Sequence, residues 1–181
     1  LRGRSFESQG EQPMILNENQ GYIHYSKSTM IMNLLQDILG AETINLALSD
    51  FLSDTAFGGP PYPRSVDLVP YLRNVCPERY QYLITDLFER IVLYDNKTTE
   101  ASAVLMDDGS YSVTIRADVR KLRVEDLGDE IEESLSDWIE IGVLGDDGDV
   151  LFLERRLIES NQVDLTVRVP DRPAEAGIDP L

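Results

Sequence analysis

The chain has 181 residues, enough for one large domain or two small ones. Apolar residues make up 42%, which excludes a disordered chain, and the net charge of −17 argues against a nucleic-acid partner and against binding an anionic membrane surface through a basic patch. The charge is uneven: residues 1–90 carry 11 acidic and 7 basic side chains, residues 91–181 carry 22 and 9, so two regions of different character are expected.

Residues 1–20 are polar and aperiodic and read as a loop or extended lead-in. A helix is expected from about Ser26 to Leu39, because Met30, Ile31, Leu34, Leu35, Ile38 and Leu39 recur at helical spacing, and Gly40 suits its cap. A second helix, Glu42 to Asp54, carries Ile44, Ala47, Leu48, Phe51 and Leu52 on its buried stripe. Phe57-Gly58-Gly59-Pro60-Pro61-Tyr62-Pro63 reads as a rigid loop. Ser65 is the expected N-cap of a short helix with Val66, Leu68, Val69 and Leu72, in which Pro70 is a local conflict. Pro77 suits the first turn of a fourth helix with Tyr80, Leu83, Ile84, Leu87 and Phe88 inside.

Near Ile91 the period changes from 3.6 to two. Tyr111, Val113, Ile115, Ala117 and Val119 alternate with polar residues, as do Val163, Leu165, Val167 and Val169. Asp107-Asp108-Gly109 and Gly145-Asp146-Asp147-Gly148-Asp149 are hairpin signals, the second flanked by Ile139–Val143 and Val150–Leu153. Residues 125–136 are acidic and read as a loop between strands. The expected fold class is α+β: a helical region over residues 1–90, then an antiparallel β-sandwich of six or seven short strands over residues 91–181.

Chemistry-bearing residues are few. Cys76 is the only cysteine, so no disulfide forms within the chain, and it reads as a small apolar residue at a helix border. His24 is the only histidine, and a lone histidine builds no three-ligand zinc site, so it reads as packed or hydrogen-bonded. Asp146-Asp147-Gly148-Asp149 suggests calcium, but its flanks are strands and a hairpin turn accounts for it more simply. Glu130, Glu132 and Glu133 read as a solvated loop, and no Gly-rich phosphate loop follows a strand. No apolar run reaches the ~18–20 residues of a membrane span. Tyr25 remains: at a helix start it is either a core or capping residue or a hydrogen-bond donor to an oxyanion.

The run Glu18-Asn19-Gln20-Gly21-Tyr22-Ile23-His24-Tyr25-Ser26-Lys27-Ser28, continuing from Met30 to Gly40, resembles the gluzincin zinc aminopeptidases, the aminopeptidase N-like group. That family carries a Tyr-x-Lys-Gly segment at a helix start, here Tyr25-Ser26-Lys27-Ser28 with serine in place of glycine. The likeness extends to Phe57–Pro63, Asp86–Asn96, Asp137–Val143 and Ala176–Pro180, and so covers nearly the whole chain. It is similar in particular to bacterial members whose peptidase region follows a membrane-embedded, transporter-permease-like part.

The resemblance implies that Tyr25 hydrogen-bonds the tetrahedral oxyanion of a peptide substrate while zinc polarises the same oxygen. The His-Glu-x-x-His ligands, the general base and the Gly-x-Met-Glu-Asn segment that grips the substrate's amino end are absent here. Both ends read as cut points in a longer protein. The expectation is therefore a C-terminal part of a zinc aminopeptidase whose zinc-bearing upstream part belongs to the same chain. It binds no zinc and hydrolyses nothing alone, and it does not insert into a membrane, although its parent sits at a bacterial inner membrane. The competing expectation is a non-catalytic interaction or scaffolding module in which Tyr25 is structural.

Overall fold

A computed structural model describes residues 10–125 and 128–180. The chain is α+β, with helices in the N-terminal half and two antiparallel sheets after them. It divides into two compact units. One holds the described residues up to Val92 and those between 124 and 129; the other holds Leu93–Arg123 and the residues from Glu130 onward.

The first unit contains helices α1 (Ser28–Leu39), α2 (Ala41–Thr55), α3 (Ser65–Val75) and the short α4 (Gln81–Ile84). In α1 the buried residues are Ile31 and Leu35, one turn apart, whereas Met30 and Leu34 of the expected stripe are exposed. Gly40, at φ 87°, ends α1 by donating to the Gln36 carbonyl at 2.9 Å, and its own carbonyl accepts the Ile44 N–H at 3.3 Å. One glycine thus closes one helix and opens the next, a backbone shape that a Cβ would strain. Ile44 and Ala47 are the buried residues of α2, and Leu52 of its expected stripe is exposed.

Two expectations about the later helices need correction. The N-cap of α3 is Arg64, not Ser65, and the Asp67 carboxylate accepts the Arg64 backbone N–H at 2.7 Å. A carboxylate in the first turn satisfies an otherwise orphaned donor and complements the helix dipole. Pro70 is exposed and α3 runs through it to Val75. The fourth helix is three successive turns of different winding: a 3₁₀ turn at Glu78–Tyr80, then α4, then a π turn at Thr85–Glu89. Gln81 ties this segment to α3 by donating to the carbonyls of Arg73 (2.8 Å) and Cys76 (2.7 Å) at the end of that helix. Arg73 reaches Glu89 at 2.7 Å and Thr85 at 2.9 Å.

The second unit has seven described strands: β1 (Val92–Leu105, with Val92 in the first unit), β2 (Tyr111–Val124, with Val124 in the first unit), β3 (Glu130–Glu133), β4 (Asp137–Leu144), β5 (Val150–Ile158), β6 (Gln162–Val169) and β7 (Glu175–Ile178). One sheet runs β1-β2-β3 with β6 also on β2, and the other runs β5-β4-β7. Their shared core takes Val113, Ile115, Ala117 and Val119 from β2, Ile139, Ile141 and Val143 from β4, and Val163, Val167 and Val169 from β6. The β2–β6 register sets Val113 opposite Val167 and Ala117 opposite Val163, so the alternate positions place Arg116 opposite Asp164, with Nε to Oδ2 at 3.0 Å. A slip by one residue would turn those charges inward, which is why the register is specified.

Both expected hairpin turns are present. Gly109, at φ 86°, donates to Met106 at 3.0 Å, and Gly145 donates to Asp149 at 2.9 Å. The acidic stretch over 125–136 is not wholly a loop, because Glu130–Glu133 forms β3 (Asp126 and Leu127 lie outside the described residues). Its acids face the basic end of β2, with Arg120 to Glu132 at 3.0 Å and Arg123 to Glu133 at 2.7 Å. Cross-strand pairs of opposite charge favour pairing that a single acidic run does not announce. Among the described residues, no helix is long and apolar enough to cross a membrane.

Candidate functional site

The segment around Tyr25 is helical earlier than expected, and it is wound as a π turn. Tyr22–Lys27 forms six residues of π-helix that lead into α1, and the Ser28 N–H bonds back to the Ile23 carbonyl, five residues away. Wide turns of this kind insert a residue into the helix and occur frequently at functional sites. Tyr22 and Ile23 are buried and anchor the turn, while His24, Tyr25 and Ser26 face out. Of the two states expected for His24, packed or hydrogen-bonded, the first is corrected: the residue is exposed, its ring 6.3 Å from the Tyr25 ring.

Tyr25 is 82% exposed, and among the described residues its phenol makes no hydrogen bond. It is not a core residue. Its carbonyl accepts the Thr29 hydroxyl at 2.7 Å, and the His24 carbonyl accepts the Ser28 hydroxyl. These two side chains occupy carbonyls in the wide turn. Ser28 sits at φ −62° and ψ −38°, an ordinary helical conformation. No glycine is required there, so the serine leaves the presentation of Tyr25 intact.

The lead-in is tied to the turn by side chains that the sequence did not single out as functional. Gln20 is 2% exposed; its amide donates to the Gly10 carbonyl at 2.9 Å and accepts the Gln12 N–H at 3.1 Å. Its own N–H goes to the Asn17 side chain at 3.2 Å. Lys27, the basic member of the Tyr-x-Lys segment, pairs with Glu11 across the same lead-in. The only sequence signal for these roles is the polar character of residues 10–20, which is shared by ordinary loops. Lys27 is thus engaged in holding the turn, and Tyr25 is its outward-facing hydrogen-bond donor.

Cys76 follows α3 and is buried; burial pushes its thiol above the ordinary range, with Arg73 opposing in part. Among the described residues, no three His, Cys, Asp or Glu side chains are grouped so as to hold a metal ion. Asp146 and Asp147 are exposed residues of the β4–β5 turn. What the Tyr25 arrangement can do is present a phenolic O–H to an acceptor outside the helix, a neutral donor suited to developing negative charge.

Comparison with known proteins returned no match among family models, curated proteins or solved structures.

Proposed function

We propose that the chain is the C-terminal part of a zinc-dependent, aminopeptidase-like metallopeptidase, in which Tyr25 donates a hydrogen bond to the oxyanion formed during peptide hydrolysis. The observation that carries this reading is the phenol of Tyr25, exposed and, among the described residues, without a hydrogen bond, on a π turn whose neighbours Tyr22 and Ile23 are buried. It is supported by the order of the segments that resemble that family. The described residues bring no three His, Cys, Asp or Glu side chains together and so do not fit a zinc ion. On this reading the metal, its ligands and the general base belong to an upstream part of the same protein, and the substrate is a peptide. The chain alone is then not catalytic, and its parent lies at a bacterial inner membrane.

In the parent, Tyr25→Phe should lower kcat by ~10²–10³-fold with little change in KM, since a donor to the oxyanion acts only in the transition state. Unchanged turnover removes the catalytic role. The isolated chain supplied with zinc should leave an aminoacyl-nitroanilide intact; robust hydrolysis would sink the division of labour between the two parts.

A second reading, a non-catalytic interaction module, is favoured by the exposed apolar end of β1, where Val104 and Leu105 face solvent on the edge strand of their sheet, with exposed Met106 just after it. An intact parent with Tyr25→Phe at full turnover supports that reading.

A further inference from the structure

The surface of the first unit is indented between the end of α2 and the start of α3. A groove of about 610 Å³ is lined by Asp54 and Thr55, by the loop from Gly58 to Arg64, and by Asp67. That volume falls in the ~300–1,000 Å³ range of small-ligand sites. One stretch of its wall is apolar and stiff: Pro60, Pro61 and Pro63 are rings with little freedom to lose, and Tyr62 among them is 74% exposed. Phe57, just before the groove, is fully exposed at φ 62°.

The charge at one end of the groove is uncompensated. Asp50 and Asp54 are one turn apart at the C-terminal end of α2, whose last turn has no basic residue. Like charges at that spacing repel, and a helix C-terminus already carries partial negative charge, so both effects oppose this placement. Among the described residues neither carboxylate forms an ion pair. Asp54 is instead oriented by the Tyr71 hydroxyl, which donates to it at 2.9 Å. The hydrogen bond to Asp54, followed by burial and the nearby charges of Asp54, Asp50 and Asp67, raises the Tyr71 pKa. At the other end Asp67 is matched by Arg64, with Nε at 3.7 Å. The groove is therefore neutral at one end, acidic at the other, and apolar between.

We propose that this groove docks a lysine or arginine side chain of an extended peptide, with its aliphatic stem along the prolines and Tyr62 and its cationic head at Asp54. Charge complementarity selects the occupant: a cation at Asp54 offsets both the carboxylate repulsion and the helix end, and an anion would worsen both. The long aliphatic stem of a basic residue suits the proline rings and the face of Tyr62, while its head stays in water beside Asp54. This goes beyond the oxyanion reading of Tyr25 and does not depend on it.

The test is titration of the intact chain with acetyl-Ala-Arg-Ala-amide, followed by amide NMR, against acetyl-Ala-Gln-Ala-amide. Shifts at Asp54, Gly58, Gly59 and Tyr62 are expected with the arginine peptide and not with the glutamine peptide. Asp54→Asn keeps an acceptor for Tyr71 and relieves the helix end, so it should fold. It should weaken binding by ~two- to fivefold, the value of one exposed ion pair. Tyr62→Ala, an exposed loop change, should also weaken it. Equal shifts with the neutral peptide, shifts spread over the acidic strands, or unchanged affinity in Asp54→Asn would each overturn the proposal.

Discussion

Replacing Lys121 by methionine removes one charge from a pair inside the sandwich unit. The side chains of Lys121 and Asp137 are 7% and 3% exposed, with Nζ to Oδ1 at 3.1 Å. Tyr94 donates its hydroxyl to the other carboxylate oxygen at 3.2 Å, and its ring lies 5.9 Å from the ammonium. Methionine fills nearly the same space, so the packing term is small and the electrostatic term dominates. Taking one partner from a buried pair costs ~3–5 kcal/mol, because the remaining charge stays out of water. Replacing both, Lys121→Met with Asp137→Leu, should restore most of the loss, since neither ion then needs desolvation. Trp138 is the only tryptophan and lies in β4 beside Asp137, so its fluorescence reports unfolding of this unit. With a urea slope of ~1–3 kcal/mol/M, the midpoint of Lys121→Met should fall by at least ~1 M. A fall under ~0.3 M, or a double variant no better than the single one, would refute the view that the charges are strongly coupled.

Tyr25→Phe should leave stability within ~0.5 kcal/mol by denaturation, as expected of an exposed side chain, so that any loss of parent activity is chemical rather than structural. Gly177→Ala places a Cβ 2.5 Å from the Thr98 hydroxyl oxygen, which itself accepts the Ile178 N–H at 3.2 Å. Moving Thr98 aside should cost ~1–3 kcal/mol by the same fluorescence assay. Cys76 should react with iodoacetamide at pH 7 at least ~tenfold more slowly than a free thiol until urea exposes it, because the thiolate is the nucleophile. The Asp108 carboxyl is held down to about 2 by the Ser110 hydroxyl and the Arg168 guanidinium. A depressed folded pKa stabilises above the unfolded value of ~3.9 and loses that stabilisation as pH falls through the folded one. Asp108→Asn should therefore be the less stable chain at pH 5, and the gap should close toward pH 2; a gap unchanged at pH 2 contradicts the linkage.

How far these sites could be read in advance depended on how local their causes are. Helical spacing in α2 and alternation in β2 and β6 follow from which residues repel water, and each is written within about a dozen positions. The two hairpin turns were legible for the same reason, since glycine at a positive φ is a local demand. Tyr25 was legible as a candidate, but its winding was not. A π turn depends on where the lead-in ties down, and the Glu11–Lys27 pair spans 16 residues. β3 was missed because its acids acquire meaning only beside Arg120 and Arg123.

The sequence by itself determined the α+β class, the position of the switch near residue 91 and the residue types available for chemistry. Only the tertiary structure decided which of those residues face outward. Periodicity tells which face of an element prefers burial, but not how much of that face a neighbour covers. Met30 and Leu34 stayed exposed, Gln20 and Lys121 were buried, and Tyr25 was left with its hydroxyl facing out.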